Sequence, residues 1–239
     1  MIRRSLLMVL MIGLLSSCSQ AKDAKGSFAN VEKVDYAQLK TEISEKHADF
    51  IQRYKAGNAD QKKALIGSAR KYLLTTVDEK IFPAWMGTTW DFNGTTQVPR
   101  KGMIACGYFV TTVMRDAGFK IQRVKLAQQA SLIIIRTICP KAEIRDYGNV
   151  TVPQVCQKLA AMPEGLYIVG LDIHTGFIYN RRGDIEFIHA SYGNPAVVVR
   201  EKALQSAVLA QSNRFVFGRV DNDFFLKKWL GGVEVNMSK

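Results

Sequence analysis

His174-Thr-Gly-Phe-Ile-Tyr-Asn-Arg-Arg-Gly-Asp-Ile-Glu-Phe-Ile-His189 reads as a β-hairpin. Two runs rich in Phe, Ile and Tyr flank Asn180-Arg181-Arg182-Gly183, which carries a turn signal. A turn placed symmetrically on those four residues sets His174 directly opposite His189, with Cβ atoms about 5 Å apart. Their shared face carries Gly176, Ile178, Ile185 and Phe187. Two imidazoles therefore project into one inward, mostly apolar patch. A one-residue slip would separate them.

Further strands read at Leu166–Gly170, Ala196–Val199 and Arg214–Arg219, with a short helix over Ala203–Gln211 and a closing helical turn over Phe224–Leu230. Upstream the texture is helical. Leu39, Ile43, Phe50, Ile51, Leu65, Ala69, Tyr72 and Leu73 recur at near-helical spacing between Tyr36 and Lys80, and Gly57-Asn58 divides them into two helices. His47 reads there as part of a solvated helix face. Gly87–Gly102 is a loop rich in Gly, Thr and Pro. A helix over Gly107–Ala117 closes at Gly118. Leu126–Ile138 and Pro153–Ala161 read as helices, with a short strand over Leu132–Ile135 as an alternative. Helices first and an antiparallel sheet second give an α+β fold.

The chain has 239 residues, 47% hydrophobic and 10% aromatic, and a mean hydropathy of −0.04. That suits one globular domain with a small appendage and excludes a disordered chain or a multispan membrane protein. Lys and Arg number 33 against 21 Asp and Glu, a net charge of +12. Such a surplus points to an anionic partner: nucleic acid, a membrane surface or an acidic polymer.

Residues 1–18 read as an export signal. Arg3 and Arg4 precede an apolar run over Leu6–Leu15, too short to span a bilayer. Leu15-Ser16-Ser17-Cys18 resembles a bacterial lipobox, which implies lipidation of Cys18. The expected product is an exported lipoprotein held to a membrane of the cell envelope, with residues 19–33 as a tether, 34–86 as a helical segment and 87–239 as the main domain. An ordinary signal peptide is the plainer reading. Export makes nucleic acid an unlikely partner. Cys139 and Cys156 then sit in an oxidising compartment and are candidates for a disulfide, with two buried thiols as the alternative.

Cys106 follows a loop and opens a helix. Unpaired N–H groups and the positive helix end favour a thiolate there and can hold an oxyanion. A thiol nucleophile needs a base held by a third polar group. His174 is the expected base, with little bulk beside it at Gly176, and His189 accepts its ring N–H. The plain alternatives are two hydrogen-bonded core histidines with Cys106 as a small buried residue, or a Cys-His-His zinc site. No Cys-x-x-Cys spacing, phosphate loop or fourth ligand is evident, so neither a metal nor a cofactor is expected.

Ala105-Cys106-Gly107-Tyr108-Phe109-Val110 with Asp116-Ala117-Gly118, Ile173–Tyr179 and Phe187–Ser191 resemble, in order, the nucleophile helix, base strand and third-residue strand of the NlpC-type cell-wall peptidases. The resemblance spans Gly87–Val220. It implies a papain-like core, with the Cys helix packed on an antiparallel sheet, and a hydrolase cutting amide bonds in murein stem peptides through a thioacyl-enzyme. Two departures stand out. Ala105-Cys106-Gly107 replaces the usual Asp-Cys-Ser, whose Asp helps recognise the substrate amine. Trp90 takes the position of a Tyr near the oxyanion, either as an N–H donor or as a packing aromatic. Asp91 and Asn93 are the remaining candidates for substrate binding, or ordinary loop residues. Two rivals remain: a wall- or partner-binding lipoprotein with a vestigial site, and an amidase or acyltransferase acting on another envelope molecule. An intact Cys106, His174 and His189 argue against decay.

Overall fold

The computed structural model describes residues 35–238. The expected signal peptide, Cys18 and the tether lie outside them. Among the described residues no helix is long and apolar enough to cross a membrane.

Asp35 caps α1 (Tyr36–Ala56) through the N–H groups of Ala37 and Gln38. Asn58 and Gln61 form a reciprocal capping box at the start of α2 (Ala59–Thr76), an arrangement that satisfies two donors the helix cannot pair internally. The Gly57-Asn58 break therefore falls where the sequence places it. A π-turn (Val77–Ile81) leads from α2 into α3 (Phe82–Trp85). Within that turn Asp78 accepts from Arg181 and Arg200, tying the helical layer to the sheet.

The chain continues through β1 (Thr89–Trp90), β2 (Met103–Ile104), α4 (Cys106–Asp116), α5 (Arg123–Ala127), α6 (Ser131–Ile138), β3 (Arg145–Gly148), α7 (Val152–Ala160) and β4 (Gly165–Gly170). It ends with β5 (Thr175–Arg181), β6 (Asp184–Ala190), β7 (Val198–Lys202), α8 (Ala207–Ala210), β8 (Arg214–Arg219) and α9 (Asp223–Gly231). Six strands form one antiparallel sheet in the order β3-β8-β4-β5-β6-β7, and β1 and β2 form a short parallel pair. The α+β reading holds. Leu132–Ile135 is helical, and Leu126–Ile138 is broken by Gln128–Ala130 into two short helices.

Alternation along the strands divides the core. Leu166, Ile168, Phe177 and Ile188 face a helical layer that includes Phe109 and Val113 of α4 and Ile135 of α6. Tyr167, Val169, Ile178 and Phe187 face the other way, onto Val155 and Leu159 of α7 and Leu209 of α8. Cys139 belongs to the first cluster and Cys156 to the second. The sheet lies between them, and both are free thiols. The expected disulfide is thereby corrected: bridging would need Cα atoms within about 7 Å.

His47 is also corrected. It is buried, stacks on Trp229 at 4.0 Å between ring centroids, and donates from Nε2 to the Trp229 carbonyl at 2.7 Å. Its neighbours Glu45, Lys46 and Asp49 are charged, but the helix face it occupies packs on α9. The described residues cluster as one compact unit, and α1 and α2 contribute to its core.

Candidate active site

Arg181 pairs with Asp184, so the hairpin turn has two residues, Arg182 and Gly183, with φ of 52° and 92°. These left-handed conformations give the turn whose twist matches that of the strands it joins. The turn is thus centred one residue later than expected, which shifts the pairing register by two. A slip of two keeps every side chain on its expected face. His174 and His189 remain neighbours, diagonal rather than directly opposite, and His174 Nε2 lies 2.9 Å from His189 Nδ1.

Gly176 makes this approach possible. A Cβ there would stand 2.7 Å from His189 Cβ and 2.7 Å from Phe187 Cε2. His189 is fully buried and stacks on Phe187 at 3.9 Å. His174 sits at the end of the Leu171–His174 turn, which the Leu171 N–H closes on the His174 carbonyl. Asp172 pins that turn by accepting from the Asn213 N–H at 2.7 Å.

Cys106 is the first residue of α4. Ala105 at the N-cap offers no side-chain acceptor, so no capping side chain takes the first-turn N–H groups, and those of Cys106 and Gly107 point at the thiol. The Ala105 N–H bonds the Gly94 carbonyl at 2.8 Å, holding the end of the Trp90–Gly94 loop at the start of α4. A side chain at position 107 is excluded, because a Cβ would lie 2.5 Å from the Ala127 carbonyl oxygen. The Cys106 sulfur is half-buried and receives the backbone N–H of Thr175, the residue after His174. The backbone that follows His174 is thereby brought to Cys106 from a distant segment.

Burial pushes the Cys106 thiol up, despite the downward pull of the Thr175, Gly107 and Cys106 N–H groups. This corrects the expected lowering: desolvation of the charged form outweighs the helix end. Burial, and then the neighbouring His189, lower His174 to about 3. Burial also lowers His189, against the opposing pull of Glu201. The thiol and both imidazoles are therefore held in their neutral forms. Neutral forms of both groups favour general-base transfer of a thiol proton over a preformed ion pair.

Two participants escaped the sequence reading. Glu201 Oε1 lies 3.2 Å from His189 Nε2. The signal is the β6–β7 register, in which Phe187 faces Glu201 and His189 faces Val199. The irregular 191–197 connection hides that register, and a strand ending at Val199 stops short of the carboxylate. Tyr192 stands edge-on to His174 with ring centroids 5.1 Å apart and is 6.1 Å from Trp90. It follows directly on the His189-Ala190-Ser191 strand end.

Trp90 is half-buried, and its indole N–H has no hydrogen-bond partner among the described residues. Asp91 uses Oδ1 to accept the Asn93 N–H at 2.8 Å, which shapes the turn. Asn93 is exposed. Among the described residues no three His, Cys, Asp or Glu side chains converge as a metal would require. Comparison with protein-family models, curated proteins and solved structures finds no match to this chain.

Proposed function

We propose that the chain is a cell-envelope cysteine hydrolase with a papain-like core, of the NlpC type, that cleaves amide bonds in murein stem peptides. The observation that carries this reading is the half-buried Cys106 thiol at an uncapped helix N-terminus, bonded to the Thr175 N–H next to a His174–His189 pair. Cys106 Sγ attacks the amide carbonyl carbon as His174 takes the thiol proton. The carbonyl π pair moves to oxygen, and N–H groups of the first turn of α4 receive the oxyanion. Trp90 supplies a further N–H that otherwise lacks an acceptor. Collapse breaks the C–N bond, and the imidazolium returns the proton to the leaving amine. Water, deprotonated by His174, then splits the thioester and regenerates the thiol.

Support for a peptide of the wall comes from the net positive charge, which suits a carboxylate-rich polymer. Ala105 offers no carboxylate for the substrate amine. Asp91 Oδ2 has no protein partner among the described residues and is the nearest replacement in the loop. The N-terminal signal and Cys18 support an exported lipoprotein, held to the envelope membrane by its lipid, with murein as partner. A second reading, an amidase or acyltransferase on another envelope molecule, draws on Ala105 and on Ile173, which is 82% exposed beside His174 and suits an apolar substrate group.

The test is digestion of purified peptidoglycan by the full chain, scoring new amino groups and released peptides. The expected result is cleavage that Cys106→Ala abolishes while the thermal midpoint stays nearly unchanged. Cleavage by Cys106→Ala at the wild-type rate would refute the assignment.

A further inference from the structure

Hydrogen-bond chemistry orders the two histidines from outside. A carboxylate only accepts. Glu201 is held in that form, because bonds from His189 and Ser206 outweigh the cost of its partial burial. His189 Nε2, 3.2 Å away, must therefore be the donor. A neutral imidazole has one N–H, so His189 Nδ1 is left as an acceptor. Its only near partner is His174 Nε2 at 2.9 Å, which must in turn be an N–H. The lone pair of His174 is thereby confined to Nδ1, the nitrogen not engaged with His189. Were Glu201 a donor instead, each step would invert, and the basic nitrogen of His174 would be spent on His189.

We propose that Glu201 is a positioning residue that fixes both histidine tautomers, leaving His174 Nδ1 as the basic nitrogen of the pair. It acts through His189 and does not touch the substrate. Its carboxylate also offsets the charge on the relay when His174 becomes an imidazolium. Ser206, the N-cap of α8, steadies the carboxylate and is itself fixed by accepting the Leu209 N–H at 3.1 Å. The kinetic part rests on the hydrolase reading above; the tautomer part stands without it.

The test is ¹⁵N NMR of the imidazoles in the full chain. Only three histidines are present, so His47→Gln, His174→Gln and His189→Gln assign the signals. Wild-type protein is expected to show Nε2–H tautomers at both His174 and His189. In Glu201→Ala, Nδ1–H forms should appear at both, with kcat for peptidoglycan fragments reduced roughly 100-fold and KM little changed. Glu201→Gln, which preserves shape but adds a donor, should give mixed tautomers and serves if the alanine variant does not fold. Glu201→Asp should restore the wild-type tautomers. Unchanged tautomers in both Glu201→Ala and Glu201→Gln would overturn the proposal whatever the activity. A tautomer change in a protein that never cleaves peptidoglycan would uphold it and count against the hydrolase reading alone.

Discussion

Gly176→Ala tests whether the histidine pair depends on an absent side chain. The new methyl would lie 2.7 Å from His189 Cβ, 2.7 Å from Phe187 Cε2 and 3.0 Å from the Ile188 carbonyl oxygen. Carbon atoms in contact prefer about 3.5–4.0 Å, so the two carbon neighbours would each have to yield by nearly an ångström, and the carbonyl oxygen by a few tenths. None yields easily. His189 and Phe187 are fully buried and stacked on one another, and the third contact is backbone inside a central strand. The cost belongs at the upper end of the overpacking range, about 2–3 kcal/mol. In a domain of this size that lowers the thermal midpoint by about 4–12 °C. The same displacement stretches the 2.9 Å bond between His174 and His189, and a misplacement of about 1 Å can cost roughly 100-fold in turnover. Thermal unfolding by circular dichroism and peptidoglycan-fragment hydrolysis, measured on one preparation, read both effects. A variant with wild-type midpoint and wild-type rate would refute the claim that Gly176 is required for the pair.

Gly67→Ala is the opposite case: a Cβ there meets nothing within 4 Å inside α2, so the change should stabilise by about 1 kcal/mol and raise the midpoint without altering activity. Alkylation of Cys106 by iodoacetamide should rise with pH to a midpoint above the ordinary thiol value of about 8.5, since burial dominates its environment; a midpoint near 6 would contradict the neutral resting pair. All three histidines are held below their ordinary value, His174 at about 3. The unfolded chain therefore binds protons that the folded chain refuses, and stability is complete above pH 6.5 and falls as the pH drops from there towards 3, by up to about 1.4 kcal/mol per pH unit for each such group. Chemical denaturation at several pH values should show a shallower acid slope in His174→Gln; an identical slope would remove His174 from that account. Non-reducing peptide mapping should recover Cys139 and Cys156 as separate free thiols, and a linked peptide would contradict the arrangement of the sheet.

Periodicity carried much of this architecture. The Gly57-Asn58 break, the helix opening at Cys106 and the strands on both sides of the Arg182-Gly183 turn follow from local pattern and caps. The shared face of His174 and His189 was legible because strand parity survives a slip of two, even though the slip itself came from centring the turn one residue too early, on Arg181-Arg182 instead of Arg182-Gly183. Long-range order was less accessible. Which face α6 and α7 cover decides the fate of Cys139 and Cys156, and no local pattern states it. Glu201 reaches His189 through a β6–β7 register set across an irregular connection, and the Thr175 N–H finds Cys106 only once α4 is packed on the sheet. The Cys106 thiol was misjudged for a related reason: a helix end is visible in sequence, whereas the desolvation that outweighs it comes from tertiary packing.

The central claim is that Cys106 carries the acyl group of a cleaved amide. The measurement is intact-protein and peptide mass spectrometry of the full chain, quenched in acid during turnover of murein stem peptides. A thioester adduct on the peptide containing Cys106, with the mass of the acyl half of the substrate and absent from Cys106→Ala and His174→Gln, is the predicted result. Hydrolysis that continues in Cys106→Ala with no adduct on any cysteine would contradict it.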